Sequence, residues 1–155
     1  HNRKHSFPTR RSSDLLKSAP TVADGSVYVP RRNGTVHALN QETGDEQWSI
    51  ETEDLSSGVN YNDGSLYLHG DFHLMAVDAN SGDQQWKVDS EYSAGILSSD
   101  GLLCTPSGEI AYHDRESGER QWAVDPEDFP TTTPVAANGL VFVGSEAGLT
   151  AYQAK

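Results

Sequence analysis

The segment ALNQETGDEQW, Ala38 to Trp48, occurs three times in recognisable form. It returns as AVDANSGDQQW from Ala76 to Trp86 and as YHDRESGERQW from Tyr112 to Trp122. Each copy carries Asn or Asp at its third place (Asn40, Asp78, Asp114), a Ser/Thr-Gly pair ending in Gly44, Gly82 or Gly118, and a tryptophan at its eleventh. The tryptophans stand 38 and 36 residues apart. A second marker keeps the same step: Asp24-Gly25, Asp63-Gly64, Asp100-Gly101 and Asn138-Gly139, each followed by a short apolar run such as SVYVP or SLYLH. Two markers sharing one period identify a repeat array, in which each unit buries its apolar faces only by stacking on its neighbours.

Within one period the pattern predicts four short strands. In the first unit these are 19–23, 26–30, 35–40 and 46–51. The apolar alternation and the β-branched and aromatic residues favour strands. Asp-Gly and Asn-Gly favour tight hairpins, because these residues tolerate positive φ. No window carries a helical stripe. A four-stranded antiparallel unit of this length has the size of a propeller blade. The expected fold is therefore all-β, a partial β-propeller of about three and a half four-stranded antiparallel blades. Their expected bounds are about 16–54, 55–91, 92–129 and an incomplete 130–155. As natural propellers have 4–8 blades, the reading expects upstream blades of the same propeller beyond this sequence.

The motif tryptophans are expected to plug the joints between blades. A buried Trp hides roughly 150–250 Å², worth at most about 4–6 kcal/mol. Ala38 and Ala76 are expected to let a neighbouring blade's Trp approach. Tyr112 takes the place of that alanine, so a bulge or shifted register is expected in the third unit. Cys104 is expected to replace the B-strand aromatic found at Tyr28, Tyr67 and Phe142.

Residues 1–15, HNRKHSFPTRRSSDL, match nothing in the repeat. They are basic, Ser-rich and aperiodic, and are set aside as a non-native or artefactual segment. The chain has 11 basic and 23 acidic residues, a net charge of −12. Without residues 1–15 the balance is 7 minus 22, or −15. Such an acidic array opposes nucleic-acid binding and attraction to anionic membranes, and it matches a salt-adapted surface. No stretch approaches the roughly 20 apolar residues of a membrane span. The single cysteine excludes an intrachain disulfide.

The pattern A-x-D-x-x-x-G-x-x-x-W, preceded by D-G-x-V-Y-V, resembles the pyrroloquinoline-quinone-type (quinoprotein-like) β-propeller repeat, including the group of outer-membrane-assembly lipoproteins. The resemblance runs from Ala19 to the C-terminus. It implies an extracytoplasmic setting: periplasm, cell surface or exterior. It implies neither a bound quinone nor catalysis, since the repeat specifies the fold alone. A quinone-dependent dehydrogenase of this kind is expected to bring a calcium site, an aspartate base and adjacent cysteines. No matched stretch supplies them, so no catalytic residue, metal ligand or cofactor is assigned.

In an up-and-down meander successive hairpins alternate ends. The Asp-Gly and Ser/Thr-Gly turns therefore share one face. The other face carries variable loops, where binding is expected. Four residues there are binding candidates: Arg31 and Arg32 at one tip, for an anionic ligand or a partner carboxylate, and His69 and Asp71 at the next. The run His69-x-Asp71-x-His73 has metal-ligand chemistry but lies across a turn, which scatters the ligands. Asn40, Asp78 and Asp114 are expected to accept backbone hydrogen bonds across their turns. The functional expectation is a non-catalytic scaffold or binding module that holds a protein partner or small ligand on its loop face. The alternatives are a piece of a quinone-dependent dehydrogenase or a protein-assembly factor.

Overall fold

The computed structural model describes residues 16–153 except 54, 71, 90–91, 98–100, 107–108, 129–131, 133 and 138–139. Residues 1–15 lie outside that set, and among the described residues there is no helix. Four antiparallel sheets follow one another along the chain. The first holds β1 (Thr21–Ala23), β2 (Ser26–Pro30), β3 (Thr35–Asn40) and β4 (Glu46–Glu51). The second holds β5 (Leu55–Asn62), β6 (Ser65–Gly70), β7 (His73–Asp78) and β8 (Gln84–Asp89). The third holds β9 (Tyr92–Leu97), β10 (Gly101–Pro106), β11 (Ile110–Asp114) and β12 (Arg120–Val124). The fourth has three strands, β13 (Val135–Ala137), β14 (Leu140–Ser145) and β15 (Gly148–Gln153). Strand order equals chain order in every sheet, the meander of a propeller blade.

The turns follow local chemistry. Asp24 and Gly25 have φ of 44° and 77°, and Asp63 and Gly64 have 46° and 80°. Two successive positive values make a type I′ turn, whose twist matches the strands it joins. The turn between third and fourth strands is built on the Asn/Asp side chain. Asn40 Oδ1 accepts from the amides of Glu42 and Thr43, both at 2.9 Å. Asp78 Oδ1 accepts from Asn80 (2.9 Å) and Ser81 (3.0 Å), and Asp114 Oδ1 from Glu116 (3.0 Å) and Ser117 (2.9 Å). These bonds hold the Asp114 carboxyl below the usual carboxylate range. Both turn types lie on one face of the array and are tied together there. The Gln41 amide donates to the Gly25 carbonyl and the Ala79 amide to the Gly64 carbonyl, each at 2.8 Å.

Burial shows how the sheets stack. In β2 and β3 buried and half-buried residues alternate, the signature of a sheet covered on one face. In β6 and β7 five successive residues are buried, because the second sheet is covered on both faces. One core joins Tyr28, Val36 and Ala38 to Leu55, Leu66, Leu68 and Val77. A second joins Tyr67, Leu74 and Ala76 to Ala111, and a third joins Ile110 to Val141 and Val143.

The tryptophans are half-buried and close these joints. The Trp48 indole N–H donates to the Ala79 carbonyl (3.1 Å), and that of Trp86 to the Arg115 carbonyl (2.9 Å). Ala79 and Arg115 are equivalent positions in the motif turn of the next sheet. Trp122 packs against the third core.

Two expectations need correction, and a third holds for a different reason. The close approach between sheets is made possible by glycine, not alanine: a Cβ on Gly82 would meet Trp48 at 2.9 Å, and one on Gly118 would meet Trp86 at 2.5 Å. Ala38 and Ala76 serve their own sheets. Each lies between a tyrosine and a tryptophan in register, Tyr28–Ala38–Trp48 and Tyr67–Ala76–Trp86, so that the rings meet over it at 5.9 and 6.1 Å. The bulge expected in the third sheet is present, between Tyr112 and His113. The same break follows Ala38 and Ala76, so it belongs to the repeat and is not caused by Tyr112.

The register also moves the B-strand position. Leu103, not Cys104, pairs with Tyr112, and Cys104 pairs with Ala111. The row Tyr–Ala–Trp therefore becomes Leu103–Tyr112–Trp122, with the smaller aromatic moved one strand outward. Tyr112 stacks on Trp122 at 5.9 Å and 8°. Gly101, where the earlier sheets have Ser26 and Ser65, makes room: a Cβ there would meet the Tyr112 hydroxyl oxygen at 2.6 Å.

Candidate functional site

The loop-face candidates do not come together. Arg31 is half-buried and its backbone closes a tight turn, its amide donating to Thr35 (2.9 Å) and its carbonyl accepting from Gly34 (3.1 Å). Arg32 is exposed beside it. His69 is not a loop residue. It belongs to β6 and is 1% exposed, because the second sheet is buried on both faces. Burial, with His113 and His73 nearby, pushes its pKa down to about 4. Asp71 lies outside the described residues. Among the described residues no three His, Cys, Asp or Glu side chains are placed to hold a metal ion. With one cysteine in the chain, the residues present do not fit a quinone–calcium centre flanked by a cysteine pair.

The structure instead draws attention to the turn face, at the joints between sheets. At the first joint the phenol of Tyr61, on β5, hydrogen-bonds to Asp24 and accepts the Gly64 amide (3.0 Å). Its ring stacks on Tyr28 at 6.3 Å and 11°. The Tyr28 hydroxyl adds a donor to the Ala79 carbonyl (3.2 Å) that already accepts from Trp48. This joint is filled.

The second joint is open. The register puts Leu97 where the second sheet has Tyr61, each being paired with the residue just before the B-strand row position. A cleft of about 440 Å³ lies here, lined by Asn62, Asp63, Ser65 and Tyr67 of the second sheet's hairpin, by Gln85 of β8, and by Arg115 and Glu116 of the third sheet's motif turn. Arg115 Nη1 donates to Asn62 Oδ1 (2.6 Å), and the Ser65 hydroxyl donates to Gln85 Oε1 (3.0 Å). Burial pushes the Tyr67 phenol above its ordinary 10.0, so it keeps its proton near neutrality.

Sequence reasoning missed this cleft. The motif made the turn face look uniform, and the available signal was a departure within it. Where the first joint has Ala23, Ala79 and Asn80, the second has Asn62, Arg115 and Glu116.

Comparison with known proteins agrees with the architecture. The family model described as outer membrane protein assembly factor BamB, of the PQQ type, matches residues 7–105. That match begins inside the basic stretch set aside above. No curated protein matches the chain by sequence. Among solved structures, BamB from Moraxella catarrhalis superposes with a TM-score of 0.74 at 19% identity, over 94% of this chain and 48% of that one. The computationally designed Ika4 protein superposes with 0.79 at 13% identity, over 97% of this chain and 96% of that one. Quinohemoprotein alcohol dehydrogenase from Comamonas testosteroni gives 0.69 at 17%, over 86% of this chain and 29% of that one. The chain thus spans about half the length of the BamB it resembles. With a family model covering most of its length and four meander sheets joined by tryptophan, the chain belongs to the PQQ-type β-propeller repeat family described as outer membrane protein assembly factor BamB.

Proposed function

We propose that this chain is a non-catalytic scaffold segment of a larger extracytoplasmic propeller, its C-terminal part, and that it holds a protein partner on its loop face. One observation carries the reading. The side chains that recur in every motif are engaged in building and joining sheets: Asn40, Asp78 and Asp114 cap their own turns, and Trp48 and Trp86 donate to the next sheet's turn. The recurring chemistry is mechanical, which leaves recognition to the parts that vary. Of these, the Arg31–Arg32 tip places two cations side by side in an acidic chain and suits a partner carboxylate. The net charge of −12 suits a salt-rich exterior.

The test is a photo-crosslinker at Asn33, exposed beside the two arginines, in the full-length protein. One adduct is expected, reproduced with the purified partner and lost in Arg31→Glu/Arg32→Glu. The likeness to a quinohemoprotein alcohol dehydrogenase favours a second reading, a dehydrogenase fragment. Alcohol or sugar oxidation by the full-length protein given quinone and calcium would establish it and refute the scaffold.

A further inference from the structure

The open joint between the second and third sheets has the chemistry of a ligand site. The repeat provides its own control, because the first joint brings together the equivalent hairpin and motif turn and is filled by Tyr61. The two joints share the Asp, Ser, Tyr and Gln of the lining, Asp63, Ser65, Tyr67 and Gln85 at the second, and differ at the other three positions, where Ala23, Ala79 and Asn80 give way to Asn62, Arg115 and Glu116.

The hydrogen bonds orient the lining. A guanidinium only donates, so Asn62 must turn its oxygen to Arg115, and its amide hydrogens then point elsewhere. Gln85 is held the same way by the Ser65 hydroxyl. The cleft therefore offers donors from two primary amides, from the remaining guanidinium hydrogens and from the Tyr67 phenol. Its acceptors are the carboxylates of Asp63 and Glu116, both exposed. An anion would meet two carboxylates on a chain of net charge −12, and an organic cation would meet Arg115. A neutral ligand whose groups each donate and accept meets neither cost. A cleft of about 440 Å³ is in the range of small-ligand sites, yet its lining is polar where most such sites are apolar.

We propose that this cleft binds a neutral polyhydroxylated ligand, a saccharide, with Asn62, Gln85 and Arg115 donating to its hydroxyls and Asp63 and Glu116 accepting from them. The test is calorimetric titration of the full chain with the methyl glycosides of glucose, galactose, mannose and N-acetylglucosamine, with citrate and spermidine as charged competitors. At least one glycoside binds, with a dissociation constant of about 1 mM. Arg115→Ala weakens it about tenfold or more, as expected for a lost hydrogen bond from a charged group. Glu116→Gln, an exposed isosteric change, weakens it by a smaller factor. Asn62→Ala, which restores the residue of the first joint, also weakens binding while the thermal transition is retained. The proposal is overturned if no glycoside binds, if binding is unchanged in both Arg115→Ala and Glu116→Gln, or if citrate or spermidine binds in place of the sugars.

Discussion

The indole of Trp48 occupies the space that any side chain on Gly82 would need. A Cβ there would stand 2.9 Å from Trp48 Cε3 and 3.1 Å from Ile50 Cγ2. Two sheets are thereby pressed together at the one residue type without a side chain, 34 positions further along the chain. Gly82 is also held at a φ of 77°, which L side chains rarely adopt.

Gly44 separates these two demands. Its φ is 78°, yet nothing lies within 4 Å of where a Cβ would stand. Gly44→Ala should cost about 1 kcal/mol for backbone strain alone. Gly82→Ala should cost about 1–3 kcal/mol more, the usual range for overpacking. Urea denaturation of the two variants checks this, and equal losses would show that the Trp48 contact contributes nothing.

The Ala79 carbonyl accepts from both the Tyr28 hydroxyl and the Trp48 indole. Tyr28→Phe removes one donor and leaves the carbonyl bonded, at about 1 kcal/mol. The double variant with Trp48→Phe leaves the acceptor unpaired and should lose about 1–3 kcal/mol beyond the sum of the single losses. A double-mutant cycle by chemical denaturation measures that surplus; strict additivity would mean the bonds are independent.

Gly101→Ser imposes the residue of the other sheets on a site where the Tyr112 ring stands in the way. A loss of about 1–3 kcal/mol is expected. In a Tyr112→Ala background most of that increment should vanish, although the His113 carbonyl, 2.6 Å from the same Cβ position, keeps part of it. Thermal melts of the four proteins suffice, and an undiminished cost would remove Tyr112 as the cause.

Acid should destabilise the protein through His69. Its folded-state pKa of about 4 lies below the ordinary 6.5. Between those values the unfolded chain binds the proton and the folded one does not, so stability is full above about pH 6.5 and falls as pH drops toward 4. The shift amounts to about 3 kcal/mol at most. Buried His113, also pushed down by burial, acts in the same direction. Unfolding free energies at pH 7.5 and 4.5 test this. His69→Gln, which cannot titrate, should flatten the profile, and an unchanged slope would assign it to other groups.

The period, the strands and both kinds of turn were legible in the sequence because each depends on a few adjacent residues. β2, β3 and β4 span the predicted 26–30, 35–40 and 46–51, since alternation and Asp-Gly chemistry act within one hairpin. The tryptophan's role at the joints was legible from its recurrence, but not where it docks. That Trp48 meets Gly82, 34 positions on, and that His69 is buried between neighbouring sheets depend on residues in other repeats. Such contacts leave no local pattern.

The cleft beside Arg115 shows the division most clearly. Its residues were visible one by one, yet only the stacking of the second and third sheets brings Asn62 to Arg115 across 53 positions and leaves the gap that Tyr61 closes one joint earlier. By itself the sequence determined the repeating sheet, because hairpin chemistry is local. Which joint is filled and which is open was decided by tertiary structure, because it is set by side chains that meet only when separate sheets pack.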